Sequence, residues 1–161
     1  MKKIVSCLLA IALFSVWSCK KDSPTPKKLF EDITYADIQA IGPNLKSDKI
    51  PVANASNPAI LKAGSIVFYK TNAGVIGKFQ IESISPQKDL TISLINYSNQ
   101  GAVLLNKANI LIGSTFIADL DLGVQAASQG TSDFWWEITG PNNEIYYITP
   151  QNTALFYVYS K

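Results

Sequence analysis

The sequence predicts an all-β fold, an antiparallel β-sandwich or barrel of about eight strands, preceded by one short helix. From Ser65 onward, short apolar runs alternate with turn residues, and the connections are too short to hold crossover helices. Runs at this spacing are typical of neighbouring antiparallel strands. Of the 161 residues, 47% are hydrophobic, which is enough for one domain with a sizeable core.

The helix is predicted over residues 34–42. Thr34 and Asp37 have the spacing of a capping box, with Asp in place of the more common Glu or Gln. Gly42 followed by Pro43 supplies a stop signal. We therefore expect one short helix before the strands.

The strands follow a stretch without a clear hydrophobic period, residues 43–63, which predicts a long connection. Gly113 interrupts an apolar run and predicts a bulge or bend. Clusters of Gly, Pro, Asn and Ser separate the apolar runs. The predicted strands are 65–70, 75–84, 89–97, 102–105, 109–120, 133–139, 144–149 and 154–159.

The N-terminus predicts export. Lys2 and Lys3 precede an apolar run of 14 residues that ends at Trp17. A helix needs about 20 apolar residues to span a bilayer. The run is therefore a secretory signal rather than a transmembrane anchor.

The signal ends at residues 16–19, whose sequence VWSC resembles the lipobox of bacterial lipoproteins. The resemblance implies that residues 1–18 are a removed signal peptide and that Cys19 carries acyl chains. Two or more chains give stable membrane anchoring. By the sorting rules of such lipoproteins, Lys20 rather than Asp after the cysteine implies the outer membrane. We therefore expect a lipid-anchored protein of the bacterial cell envelope.

The charge divides the mature chain into a tether and a domain. Residues 19–30 form the lipidated cysteine and a tether with four Lys, one Asp and the spacer sequence SPTP. Residues 31–161 form a single β-rich domain with eight Lys and eleven acidic residues. An acidic domain without Arg lacks the positive surface of a nucleic-acid-binding protein.

Composition excludes several reaction classes. The chain has no His and no Arg, so it has no imidazole base, no His-ligated metal and no bidentate anion clamp. If Cys7 leaves with the signal and Cys19 is acylated, no thiol remains for a disulfide or for catalysis. We predict no cofactor and favour a non-catalytic binding or scaffolding module over an enzyme.

The candidate ligand-binding residues lie near the C-terminus. Strand alternation places Trp135 on an outer face between Asp133 and Glu137. Tyr146 is its expected neighbour if the register places Glu144 outward. An exposed indole beside polar groups suits stacking on a sugar ring or on a protein partner. The alternative interpretation is that Trp135 is covered by the helix or by another sheet.

Three aspartates are weak candidates for calcium. Asp119 and Asp121 lie on one side of a strand, and Asp133 could approach them. Calcium prefers six to eight oxygen ligands and needs no imidazole. The chain lacks EF-hand spacing, however, and Asp before Gly123 is equally typical of a turn. We therefore predict no metal site.

Two alternative functions stay open. A small glycoside hydrolase needs two carboxylates at a set separation, which Glu137 could form with Glu82, Glu144 or Asp133. A closed eight-stranded barrel could carry an apolar ligand in its interior, as lipocalin-like proteins do. Converging acids would indicate the hydrolase, and an apolar cavity would indicate the carrier.

Overall fold

The computed structural model describes residues 28–53 and 61–159. The predicted signal peptide, Cys19 and most of the tether lie outside the described residues. Within the described part, ten strands and one α-helix are found. They are α1 (Tyr35–Ile41), β1 (Ile50–Val52), β2 (Ile66–Lys70), β3 (Ile76–Ile84), β4 (Leu90–Tyr97), β5 (Val103–Ile112), β6 (Ile117–Asp119), β7 (Val124–Gln125), β8 (Phe134–Thr139), β9 (Ile145–Pro150) and β10 (Leu155–Tyr159).

The strands form two antiparallel five-stranded sheets. Sheet I has the order β1-β9-β8-β6-β7, and sheet II has the order β10-β2-β3-β4-β5. Their inner faces share one hydrophobic core. The predicted all-β class is confirmed, and the arrangement is a sandwich of ten strands rather than the eight predicted.

Two predicted strands differ from the structure by more than one residue at an end. The segments predicted at 102–105 and 109–120 are instead one long strand, β5, and the separate short strand β6. Asn109 has a positive φ of 55° at a bulge in the pairing of β4 with β5, so the strand bends there without ending. Gly113 follows β5 and accepts a hydrogen bond from the Phe116 N–H in the turn into β6.

Helix α1 begins with the predicted capping box. The Asp37 carboxylate accepts a hydrogen bond from the Thr34 N–H at 2.7 Å, and the Asp37 N–H donates to the Thr34 hydroxyl. Hydrogen bonds from Lys28 and Thr34 lower the pKa of Asp37 to about 2. Within residues 28–53 and 61–159, no helix is long and apolar enough to span a bilayer.

The helix and the segment before it cover the outer face of sheet II. Ile33 and Ile38 are buried there against Phe68 and other apolar residues of the sheet. Lys78, on β3, is buried beneath this segment and donates hydrogen bonds to the carbonyls of Ile33, at 2.6 Å, and Phe30. Burial lowers the pKa of Lys78, since the charged form loses its hydration.

Aromatic rings fill the space between the two sheets. The rings of Phe79 and Phe134 stack across the core at 5.9 Å between centroids, and Phe156 packs edge-on against both. Tyr69 lies directly over Gly77, where an added Cβ would be 2.5 Å from the Tyr69 ring. Side chains therefore occupy the place where a lipocalin-like carrier would hold its ligand.

Candidate functional site

Trp135 lies on the outer face of sheet I. In the register of the sheet, Trp135 is opposite Thr149 and Ile117, and Glu137 is opposite Tyr147. Helix α1 packs on sheet II, so it does not cover this surface. We call the surface the tryptophan face; it consists of Pro51, Ile117, Trp135, Glu137, Tyr147 and Thr149, all partly exposed except Glu137.

Tyr146 is not on the tryptophan face, which corrects the expectation that it neighbours Trp135. It pairs with Ile138 and points inward, with its ring 5.5 Å from that of Trp136. Alternate residues of a strand point to opposite faces, so the register decides which of two adjacent tyrosines lies outside. Tyr147 takes the outer position.

Glu137 is buried rather than solvent-facing, which corrects the predicted exposed carboxylate beside Trp135. Only 8% of the residue is exposed, and its carboxylate is 2.7 Å from the Lys49 ammonium. The Thr149 hydroxyl also donates to it at 2.5 Å. Burial opposes ionisation, but the hydrogen bonds from Lys49 and Thr149 outweigh it and hold the pKa of Glu137 below its ordinary value.

A pocket of about 260 Å³ opens beside the Trp135 ring. The indole Nε1–H donates to the Thr115 carbonyl at 3.0 Å, which fixes the orientation of the ring. Phe116, in the turn between β5 and β6, is 51% exposed and forms another wall. Ile117, Gln129 and Gln151 complete the lining.

The structure brings Asp119, Asp121 and Asp133 together, with one carboxylate oxygen of each within 4.8 Å of the others. Asp133 is fully buried and accepts backbone N–H bonds from Asn72 at 2.9 Å and from Leu120 at 2.7 Å. Because Asn72 follows β2 of sheet II and Leu120 follows β6 of sheet I, Asp133 joins the two sheets at one end of the sandwich.

The electrostatics of this cluster oppose ionisation. Burial raises the pKa of Asp133 to about 6 despite its two backbone hydrogen bonds, and the neighbouring aspartates add to the shift. Burial likewise raises the pKa of Asp121, which accepts a hydrogen bond from the Thr71 hydroxyl at 2.8 Å. Asp119 accepts the Leu122 N–H at 3.0 Å. The cluster could offer oxygens to a cation, but each carboxylate already accepts a hydrogen bond from a backbone N–H or a hydroxyl group.

The acids considered for a hydrolase do not converge on Glu137. Glu82 lies on β3 of the other sheet. The Glu144 carboxylate accepts the Asn142 N–H at 2.7 Å in the turn before β9. Asp133 precedes β8, and its carboxylate accepts the Asn72 and Leu120 N–H groups at one end of the sandwich. Sheet pairing therefore places none of these three acids opposite Glu137, whose carboxylate contacts Lys49 and Thr149 instead.

Several residues of the site were not predicted. Thr115 and Phe116 stand in the turn between β5 and β6, Gln129 begins a short 3-10 helix between β7 and β8, and Gln151 follows β9. No local pattern indicates such residues. Lys49 was not predicted either, because it immediately precedes strand β1 and the sequence does not indicate that strand.

Comparison with known proteins does not assign the chain to a family. No protein-family model, no curated protein and no solved structure matches the chain.

Proposed function

We propose that the protein is a lipid-anchored protein of the cell envelope whose β-sandwich is a non-catalytic binding module. The anchor rests on the lipobox-like residues 16–19 and on acylation of Cys19, and Lys20 supports placement in the outer membrane. The nine residues from Lys20 to Lys28 span at most about 30 Å when extended. Such a tether would hold the domain close to the membrane.

The observation that carries the binding role is the position of Trp135. Its ring is partly exposed, fixed by a hydrogen bond, and bordered by a pocket on a sheet face that α1 leaves uncovered. Tryptophan is the residue type that most often dominates binding energy, because it offers a large rigid surface at low entropy cost. The tryptophan face is therefore the contact surface that we propose.

The state of the neighbouring acids supports binding over hydrolysis. A glycosidase acid must keep its proton near neutral pH, which requires a raised pKa. The pKa of Glu137 is lowered, and the carboxylate is held by Lys49 and Thr149. Asp133 has a raised pKa, but both of its oxygens accept backbone N–H bonds in the interior.

Photo-crosslinking in intact cells tests the proposal. The full-length protein would carry p-benzoylphenylalanine in place of Trp135, and a matched control would carry it in place of Leu111. Leu111 is 58% exposed on β5 of sheet II and lines no part of the pocket. We expect an adduct of discrete mass from position 135 and none from position 111. Equal labelling at both positions, or none at position 135, would contradict the proposed surface.

A further inference from the structure

The pocket beside Trp135 is lined by aromatic and amide groups without charge. Its described lining residues are Thr115, Phe116, Ile117, Gln129, Trp135 and Gln151, none of which is ionisable. On the same sheet face, Lys49 and Glu137 neutralise each other in an ion pair. A charged ligand would find no counter-ion in this lining.

Building on the proposed function, we propose that this pocket binds one ring of a neutral saccharide. A pyranose ring presents an apolar C–H face to an aromatic side chain and hydroxyl groups at its rim. Trp135 and Phe116 provide aromatic surface. Gln129 and Gln151 provide amides, each of which donates and accepts hydrogen bonds as hydroxyl groups do.

The state of the two amides fits this ligand. The Gln151 amide uses one N–H on the carbonyl of Pro150 at 3.2 Å, which leaves its carbonyl oxygen to accept. Among the described residues, the Gln129 side chain has no hydrogen-bond partner. The Trp135 N–H is already satisfied by Thr115, so the indole offers its ring face rather than its polar edge.

Pocket size and strand order favour a single ring over a peptide. The volume of about 260 Å³ lies below the ~300–1,000 Å³ of clefts that enclose drug-sized ligands. A peptide would gain main-chain hydrogen bonds by adding to a sheet edge. Strand β8, which carries Trp135, is paired on both sides with β6 and β9, so no edge is open at this residue.

Affinity electrophoresis of the full-length protein in detergent micelles tests the inference. Native gels would contain one of three neutral polysaccharides, laminarin, soluble starch or mannan, or the acidic polymer alginate. We expect retardation by at least one neutral polymer and none by alginate. Trp135→Ala should raise the apparent dissociation constant by about ten-fold or more, as for a residue that dominates binding. Gln129→Ala should raise it by about 2–10-fold, the effect of one hydrogen bond.

Two further variants control for folding and for surface apolarity. Trp135→Phe keeps an aromatic ring and should retain most of the retardation. Leu111→Ala removes an exposed apolar side chain outside the pocket and should not change the retardation. Retardation that persists in Trp135→Ala, or that is caused only by alginate, overturns the saccharide inference.

The outcome also separates this inference from the proposed function. If no neutral polymer retards the protein while position 135 still crosslinks a protein in cells, the saccharide inference falls and the binding module stands. If neither assay gives a signal at Trp135, both proposals fall.

Discussion

We predict that protonation of Asp133 makes the stability of the sandwich depend on pH between pH 5 and 7. Its carboxylate is fully buried, joins the two sheets, and has a pKa raised from 3.8 to about 6. A group with a raised folded-state pKa binds more protons in the native state than in the unfolded state. The free energy of unfolding therefore falls as the pH rises through this range.

The size of the effect follows from the two pKa values. A change from 3.8 to about 6 corresponds to about 3 kcal/mol in total, of which about 1.3 kcal/mol is lost between pH 5 and 7. The raised pKa of Asp121 acts in the same direction. Asp37 and Glu137, with lowered pKa values, stay ionised throughout. The chain has no His to titrate in this interval.

Urea unfolding at pH 5, 6 and 7 measures this dependence. In the Asp133→Asn variant, the amide at this position does not titrate. We therefore expect the decrease in the free energy of unfolding between pH 5 and 7 to shrink to the contribution of Asp121. The amide accepts only one of the two backbone N–H groups, which should cost about 1–3 kcal/mol at pH 5. Asp37→Asn is the control and should leave the decrease unchanged. Wild-type stability that rises between pH 5 and 7, or an Asp133→Asn variant that keeps the full decrease, would refute this reasoning.

Three further predictions concern the anchor, the acidic cluster and the core. Cys19→Ala should give an unprocessed or soluble product; unchanged membrane fractionation and mass would exclude acylation there. Millimolar calcium should leave the melting temperature unchanged, since four carboxylate oxygens of the cluster already accept protein donors; a rise of several degrees would indicate a cation site. Gly77→Ala should cost about 1–3 kcal/mol in urea unfolding, because its Cβ would meet the Tyr69 ring. Gly130→Ala, with open space around it, should change little, and equal losses would contradict this packing.

The hairpin strands were predictable because their turns are encoded locally. Gly74, Gly101 and Gly140 adopt positive φ angles at turns that the sequence marks with Gly, Asn, Ser and Pro. The capping box of α1 is likewise local, as it involves only Thr34 and Asp37. Neighbouring residues therefore sufficed to predict these elements.

Elements that depend on distant pairing were not predictable. Strand β1 is three residues long and pairs with β9, almost 100 residues later, as in the pair of Ile50 with Ile148. Its sequence has no period of its own. The break predicted before residue 109 was wrong because a bulge at Asn109 lets β5 continue. In both cases the bounds of the strand depend on its pairing partner rather than on its local sequence.

The candidate site was predictable only in outline. Alternation alone places Trp135 outward, but a register one residue different exchanges Tyr146 for Tyr147. The burial of Glu137 depends on Lys49, which reaches it from a segment 88 residues away. The burial of Lys78 could not be predicted from the residues around it in the sequence. It results from the segment that contains Ile33, which folds over Lys78 from 45 residues away.

The most direct measurement compares the unfolding free energies of Trp135→Ala and Trp136→Ala. Trp136 is fully buried between the sheets, whereas Trp135 is partly exposed on the tryptophan face. We expect Trp136→Ala to lose about 3–5 kcal/mol or fail to fold, and Trp135→Ala to lose less than about 2 kcal/mol. An equal loss in the two variants would show that Trp135 is a core residue and would contradict its role as a binding contact.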